Sequence, residues 1–172
     1  MNTINLTDAQ ASNIPRGEMI IKVNRKLCID IRARDWCLFP YPNHPKGCPN
    51  YNYKKTCPPQ VKVVDKVFDL NKDVWFAIIR FDLVAHMNRM KDKHPNWSER
   101  QCKCVLYWQE KVKKELRLLV ENFIMFKEYI WTDCPEAMGV NVFKTFRRLN
   151  IPISIHPEIV NKVALIGHSR KD

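Results

Sequence analysis

The chain has 172 residues, 45% of them hydrophobic, enough for one ordinary core that needs neither disulfides nor a metal to fold. No run of about 18 apolar residues occurs, so a membrane-spanning helix is not expected. The formal charge of +11 suits an anionic partner, and seven cysteines, an odd number, argue for metal or catalytic thiols over a disulfide framework.

The opening MNTINLTDAQASNIPRG reads as a polar lead-in over residues 1–17, ahead of a single domain over 18–172. It lacks the basic-then-apolar order of an export signal, and a reducing, cytoplasmic compartment is the expectation. Met19–Val23 and Leu27–Ile31 are two short β-type runs around the turn-prone Asn24-Arg25. Cys28, in the second run, has the apolar neighbours of a small buried side chain. A loop follows over 35–60, where prolines at 40, 42, 45, 49, 58 and 59 prevent regular pairing and stiffen the chain. Val63, Val67 and Leu70 have the spacing of a short helix. Val74–Phe81 is almost continuously apolar, the pattern of a buried central strand.

Ser98 and Gln101 match a capping box that opens the longest element. Its stripe of Cys102, Val105, Leu106, Val112, Leu116, Leu119, Val120 and Phe123 keeps a helical period to about Met125. YIWTDC (Tyr129–Cys134) then reads as a strand. PEAMGVNVFKTFRRLN reads as a helix capped by Asp133 or Thr132, with Pro135 in its first turn. IPISIHP and KVALIGH are two further short strands. Interleaved strands and helices indicate an α/β or α+β domain: a small mixed sheet with packed helices and a Cys/Pro-rich metal-binding loop.

Cys37, Cys48 and Cys57 share the irregular loop, with ten and then eight residues between them. Thiolates are good ligands for zinc and for iron–sulfur clusters, and a loop can bend three sulfurs towards one point. Gly47 gives backbone freedom beside Cys48, and Pro49 and Pro58 fix the chain leaving two of the cysteines. For the fourth position His44 would complete a zinc-type set, Cys134 would complete an all-cysteine set, and an open position would suit a cluster that binds a substrate. Cys102-Lys103-Cys104 resembles a chelating pair, but on a helix the two side chains point roughly 200° apart. Cys134 precedes Pro135 at an expected helix start, where the helix dipole would lower its pKa, and it is the candidate catalytic thiol. Glu136 stands beside it as a possible acid or base.

Two stretches carry a resemblance. KGCPNYNYKKTCPP (Lys46–Pro59) resembles the Gly-Cys-Pro-Asn-Tyr…Cys-Pro-Pro block of a bacterial and archaeal domain-of-unknown-function family described as predicted metal-binding, cysteine-rich proteins. CPEAMGVNVFKTFRRLNIPI (Cys134–Ile153) is similar to that family's second block, and the likeness runs from Cys28 to Gly167. It implies that Cys48 and Cys57 are metal ligands, with Cys37 as the upstream member. Family members often have several closely spaced cysteines before the second block, where this chain has Cys134 alone. That departure points to a single centre.

The favoured reading is therefore one [4Fe–4S] cluster on Cys37, Cys48 and Cys57, with Cys134 as fourth ligand or reactive thiol. Redox or sulfur-transfer chemistry on an anionic substrate, such as a nucleotide or RNA, would follow. Between Arg32 and Lys66 seven basic residues face two acidic ones, a local excess that would draw such a substrate. The alternative is a zinc-stapled RNA-binding module without catalysis, in which Trp36, Phe39, Tyr41, Tyr51 and Tyr53 stack on bases.

Overall fold

The computed structural model describes residues 17–40, 44–153 and 158–171. Residues 1–16 of the polar lead-in, Tyr41, Pro42, Asn43 and the end of the IPISIHP segment lie outside the described residues, and Gly17, expected to close the lead-in, opens the first strand. Strands β1 (Gly17–Lys22), β2 (Val74–Asp82), β3 (Tyr129–Thr132) and β4 (Ile159–His168) form one sheet in the order β1-β2-β4-β3. Every pairing is antiparallel, with Met19 opposite Ile78, Ala77 opposite Ala164 and Thr132 opposite Leu165. The expected mixed sheet is thus corrected to an antiparallel one, and the arrangement is α+β.

Successive side chains on a strand point to opposite faces, and both faces of this sheet are covered. On one, Ile21, Phe76, Ile78 and Leu165 pack with Met138, Val142 and Phe146. Val142 and Phe146 belong to α4 (Val142–Arg148). On the other, Ile20, Ala77, Ile79 and Ile166 pack with Val112, Leu116 and Val120 of α3 (Gln109–Ile124). Burial on both faces is why β2 has no polar alternation. Among the described residues no helix is long and apolar enough to cross a membrane.

Several elements differ from expectation. The run Leu27–Ile31 does not form a hairpin with β1. Cys28 N–H donates to Thr145 Oγ1 at 3.0 Å, Asn141 N–H donates to Cys28 O at 2.8 Å, and Ile29 bridges to Val140. This segment is therefore tied to the start of α4. Val63–Leu70 holds only a single 3-10 turn, Val64–Lys66. The expected helix after Cys134 is two elements: a 3-10 turn, Pro135–Met138, and then α4. Gly139, at φ +87°, ends the first, and Asn141 caps the second by accepting from Lys144 N–H at 2.9 Å. The capping box at Ser98 and Gln101 is present, yet it opens a short α2 (Glu99–Cys102) rather than the long helix. Val105 and Leu106 fall in the break between α2 and α3, and both are exposed.

Helix α1 (Leu83–Lys93), capped by Asp82 accepting from Ala85 N–H at 2.8 Å, escaped the sequence reading. It buries His86 against Phe81, and the ring's Nε2 has no hydrogen-bond partner among the described residues. Burial first, and the Arg89 charge second, hold this imidazole below its ordinary pKa. The unfolded chain then takes up the proton before the folded one. Stability should be level above about pH 7 and fall as the pH drops below roughly 6.5. Unfolding midpoints taken between about pH 5 and 8 check this. His86→Met should show a shallower fall than the wild type, and equal slopes would refute the assignment.

Candidate functional site

Cys37 lies near the end of a 3-10 run, Ile31–Leu38, that Asp30 caps by accepting from Arg32 N–H. The Asp30 carboxylate accepts from Arg32 Nε at 2.9 Å and from Lys144 Nζ at 3.3 Å, and it is held well below the usual carboxylate range, chiefly by Arg32. Asp30 N–H donates to Gly139 O at 2.8 Å. These contacts set the run against the Pro135–Met138 turn and α4. Trp36 adds an edge-on contact with Phe143, ring centroids 5.7 Å apart.

The loop is folded back onto that run. Cys48 N–H donates to Cys37 O at 2.7 Å. Gly47 makes this approach possible: it sits at φ +84°, and a Cβ there would lie 2.6 Å from Cys37 O. The far end of the loop is tied down by Arg34, whose guanidinium donates to Pro59 O at 3.1 Å and Val61 O at 3.0 Å. Cys57 is held between them, its N–H donating to Lys54 O and its carbonyl accepting from Val61 N–H. Asn52, at φ +61°, closes the middle turn by donating to Pro58 O at 2.8 Å.

Cys37, Cys48 and Cys57 are free thiols, each half-buried. They share one electrostatic neighbourhood: burial pushes the Cys37 thiol up, and the charges of Cys48, Cys57 and Glu136 push it further. Yet the side chains do not form a ready-made set of ligands. Among the described residues no group of three or more His, Cys, Asp or Glu is placed to hold a metal ion. The backbone is brought together; the sulfurs are not closed on one point. His44 is half-buried, and its carbonyl accepts from Gly47 N–H at 3.1 Å, next to the junction.

Cys134 lies before the facing turn, and its pKa goes the opposite way from the expectation. Burial and the adjacent Asp133 carboxylate push the thiol up to about 12. The turn it precedes has only four residues, too short to supply a helix dipole. Its Sγ donates to Asp133 Oδ1 at 3.5 Å, so at neutral pH it is a protonated thiol. Glu136 is within electrostatic reach of both Cys37 and Cys134, and burial raises its own pKa. Cys28 and Cys102 are buried, as their apolar neighbours suggested, and Cys104 is half-buried in the α2–α3 break.

Sequence reasoning missed Arg34 as the tie of the loop, and it missed Lys162, whose Nζ donates to Asp133 O at 3.1 Å. A single basic residue within a strand or a turn gives no signal of its own. Compared with family models, with curated proteins and with solved structures, the chain has no match in any of the three.

Proposed function

We propose that this chain is a metal-binding protein in which Cys37, Cys48 and Cys57 hold one iron–sulfur cluster of the [4Fe–4S] type. The observation that carries the reading is the junction at Gly47, where Cys48 N–H meets Cys37 O at 2.7 Å and the backbone origins of two thiols are fixed side by side. Arg34 holds the segment just past the third. Such a scaffold places a glycine in the left-handed region, a conformation that other residues adopt only at a cost. To hold the cluster, Cys37, Cys48 and Cys57 would have to turn towards a common point and lose their protons. Three cysteines with an open fourth position suit a cluster better than closed tetrahedral zinc. Cys134 would have to give up a strongly held proton to serve as the fourth ligand. A bound cluster would supply redox or sulfur-transfer chemistry, and exposed Lys46, Lys54 and Lys55 would draw an anionic substrate such as a nucleotide or RNA.

A second reading keeps the same thiols but uses zinc, with His44 completing the set and RNA bound without catalysis. It is favoured by Phe39 and Tyr53, 59% and 86% exposed, on a loop with exposed lysines. Exposed rings among cations are what single-stranded bases stack on.

Anaerobic purification followed by an absorption spectrum and metal and sulfide analysis separates the two. The cluster predicts brown protein with iron and labile sulfide. Cys48→Ser or Cys57→Ser should lose most of it, and Cys104→Ser should keep it. Colourless protein with one equivalent of zinc, lost in His44→Ala, would establish the second reading instead. Full metal retention in Cys48→Ser would refute both.

A further inference from the structure

The linker between α1 and α2, residues 94–98, is pinned along its length. His94 N–H donates to Met90 O at 2.9 Å, closing α1, and Trp97 N–H donates to His94 O at 2.9 Å. Lys91 Nζ donates to Trp97 O at 2.6 Å, and Ser98 caps α2. On this fixed backbone the His94 ring stacks on the Trp97 indole, centroids 4.0 Å apart and planes within 13°. Tyr107, from the break between α2 and α3, stacks with the same indole at 5.2 Å and 27°. The three rings form one stacked group, and it lies at the surface: Trp97 is half-buried, His94 is exposed and Tyr107 is 52% exposed.

The charge around the rings decides what they can take. Over residues 89–103 the basic side chains are Arg89, Lys91, Lys93, Arg100 and Lys103, against Asp92 and Glu99. Glu99 is paired with Lys103, while Arg89, Lys91, Lys93 and Arg100 are all exposed. Aromatic faces alone also attract cations, but a surface this basic repels them. A flat partner that carries negative charge is a nucleotide, and a chain of nucleotides meets rings and cations together. Base pairing would hide the base faces, so the chain has to be single-stranded.

We infer that the α1–α2 linker and the α2–α3 break form a docking surface for single-stranded nucleic acid, its bases stacked on His94 and Tyr107 and its phosphates met by Lys91, Lys93 and Arg100. The rings are already held in place by one another and by the linker's hydrogen bonds, so little order has to be imposed on binding. The surface shares no residue with the cysteine loop and stands or falls apart from the metal reading.

Titration with a ten-nucleotide single-stranded RNA of mixed sequence, followed by amide chemical shifts, tests it. Saturable shifts are expected at residues 91–100 and 105–107. His94→Ala and Tyr107→Leu, both at exposed positions, should each weaken binding about tenfold, the worth of one stacked base, while the amides of β2 and β4 keep native shifts. Affinity should fall with salt at a log–log slope of about −2, for three phosphates neutralised on a single strand. The duplex with the complementary strand should bind at least tenfold more weakly, and so should AMP. Phe39→Ala combined with Tyr53→Ala should leave the shifts at 91–107 in place, which separates this surface from bases stacked on the cysteine loop. The absence of saturable shifts at those residues would overturn the surface. Unchanged affinity in both ring variants, or equal binding of the duplex, would overturn the stacking, and equal binding of AMP would overturn the strand.

Discussion

Replacing Gly47 by alanine should dissolve the Cys37–Cys48 junction, at a cost of about 2–4 kcal/mol to the loop. Two effects combine. The residue sits at φ +84°, where an L side chain is strained, and the new Cβ would lie 2.6 Å from Cys37 O and 2.8 Å from Leu38 C and O. All three atoms are backbone, so no flexible side chain can swing aside. Amide exchange at Cys48 reports the junction directly, because its N–H donates to Cys37 O. Exchange there should rise about thirtyfold or more, since each 1.4 kcal/mol is a factor of ten. Amides of β2 and β4 should keep their order of protection, and metal uptake should fall to the level of Cys48→Ser. Gly47→Asn separates the causes: asparagine tolerates the left-handed region but brings the same Cβ. If close contact dominates, asparagine will fail as badly as alanine. Unchanged exchange at Cys48 in the alanine variant would refute the junction.

The loop was legible in the sequence because cysteine, glycine and proline declare their chemistry one residue at a time. What pattern could not give was direction. Spacing places three thiols in one segment, but only the fold says which way each sulfur points, and here they share a neighbourhood without closing on a point. Cys134 shows the same limit. A cysteine before a proline at a helix start predicts a lowered pKa, yet the element is a four-residue turn and the neighbours are Asp133 and buried surface, so the shift is upward.

In the fold, long periodic segments carried their message. Val74–Phe81 is the central strand, and the stripe from Val112 to Phe123 is the buried side of α3. The failures came where tertiary contacts outbid local preference. Leu27–Ile31 has strand residues, but Thr145 and Asn141 of the α4 start claim its backbone bonds, leaving a single bridge instead of a hairpin. The helix expected from Ser98 onward breaks at Lys103 because α2 packs on α1 whereas α3 packs on β2 and β4. One unbroken rod could not serve both.

That break turns on Trp108, and Trp108→Ala should be among the most damaging single changes in the molecule. Its ring is 8% exposed and lies stacked on Phe81, with centroids 4.9 Å apart and planes within 15°. It sits one turn before Val112, so it starts the buried stripe of α3. Its Nε1–H donates to Lys103 O at 3.3 Å, satisfying a carbonyl that the end of α2 leaves without a helical partner. Truncation removes the ring from the core, opens a cavity beside Phe81 and strands that carbonyl, a loss of about 3–5 kcal/mol by analogy with other buried aromatic deletions. Trp108→Phe keeps most of the stacking and gives up only the indole N–H, so it should cost about 1–2 kcal/mol, the worth of a single partly buried hydrogen bond with a small packing change. Denaturant unfolding measures both: the midpoint should fall for each in that order, with the slope unchanged, because the unfolded chain exposes the same surface. A loss below about 1 kcal/mol for the alanine variant would place Trp108 outside the core and leave the break between α2 and α3 without its physical cause.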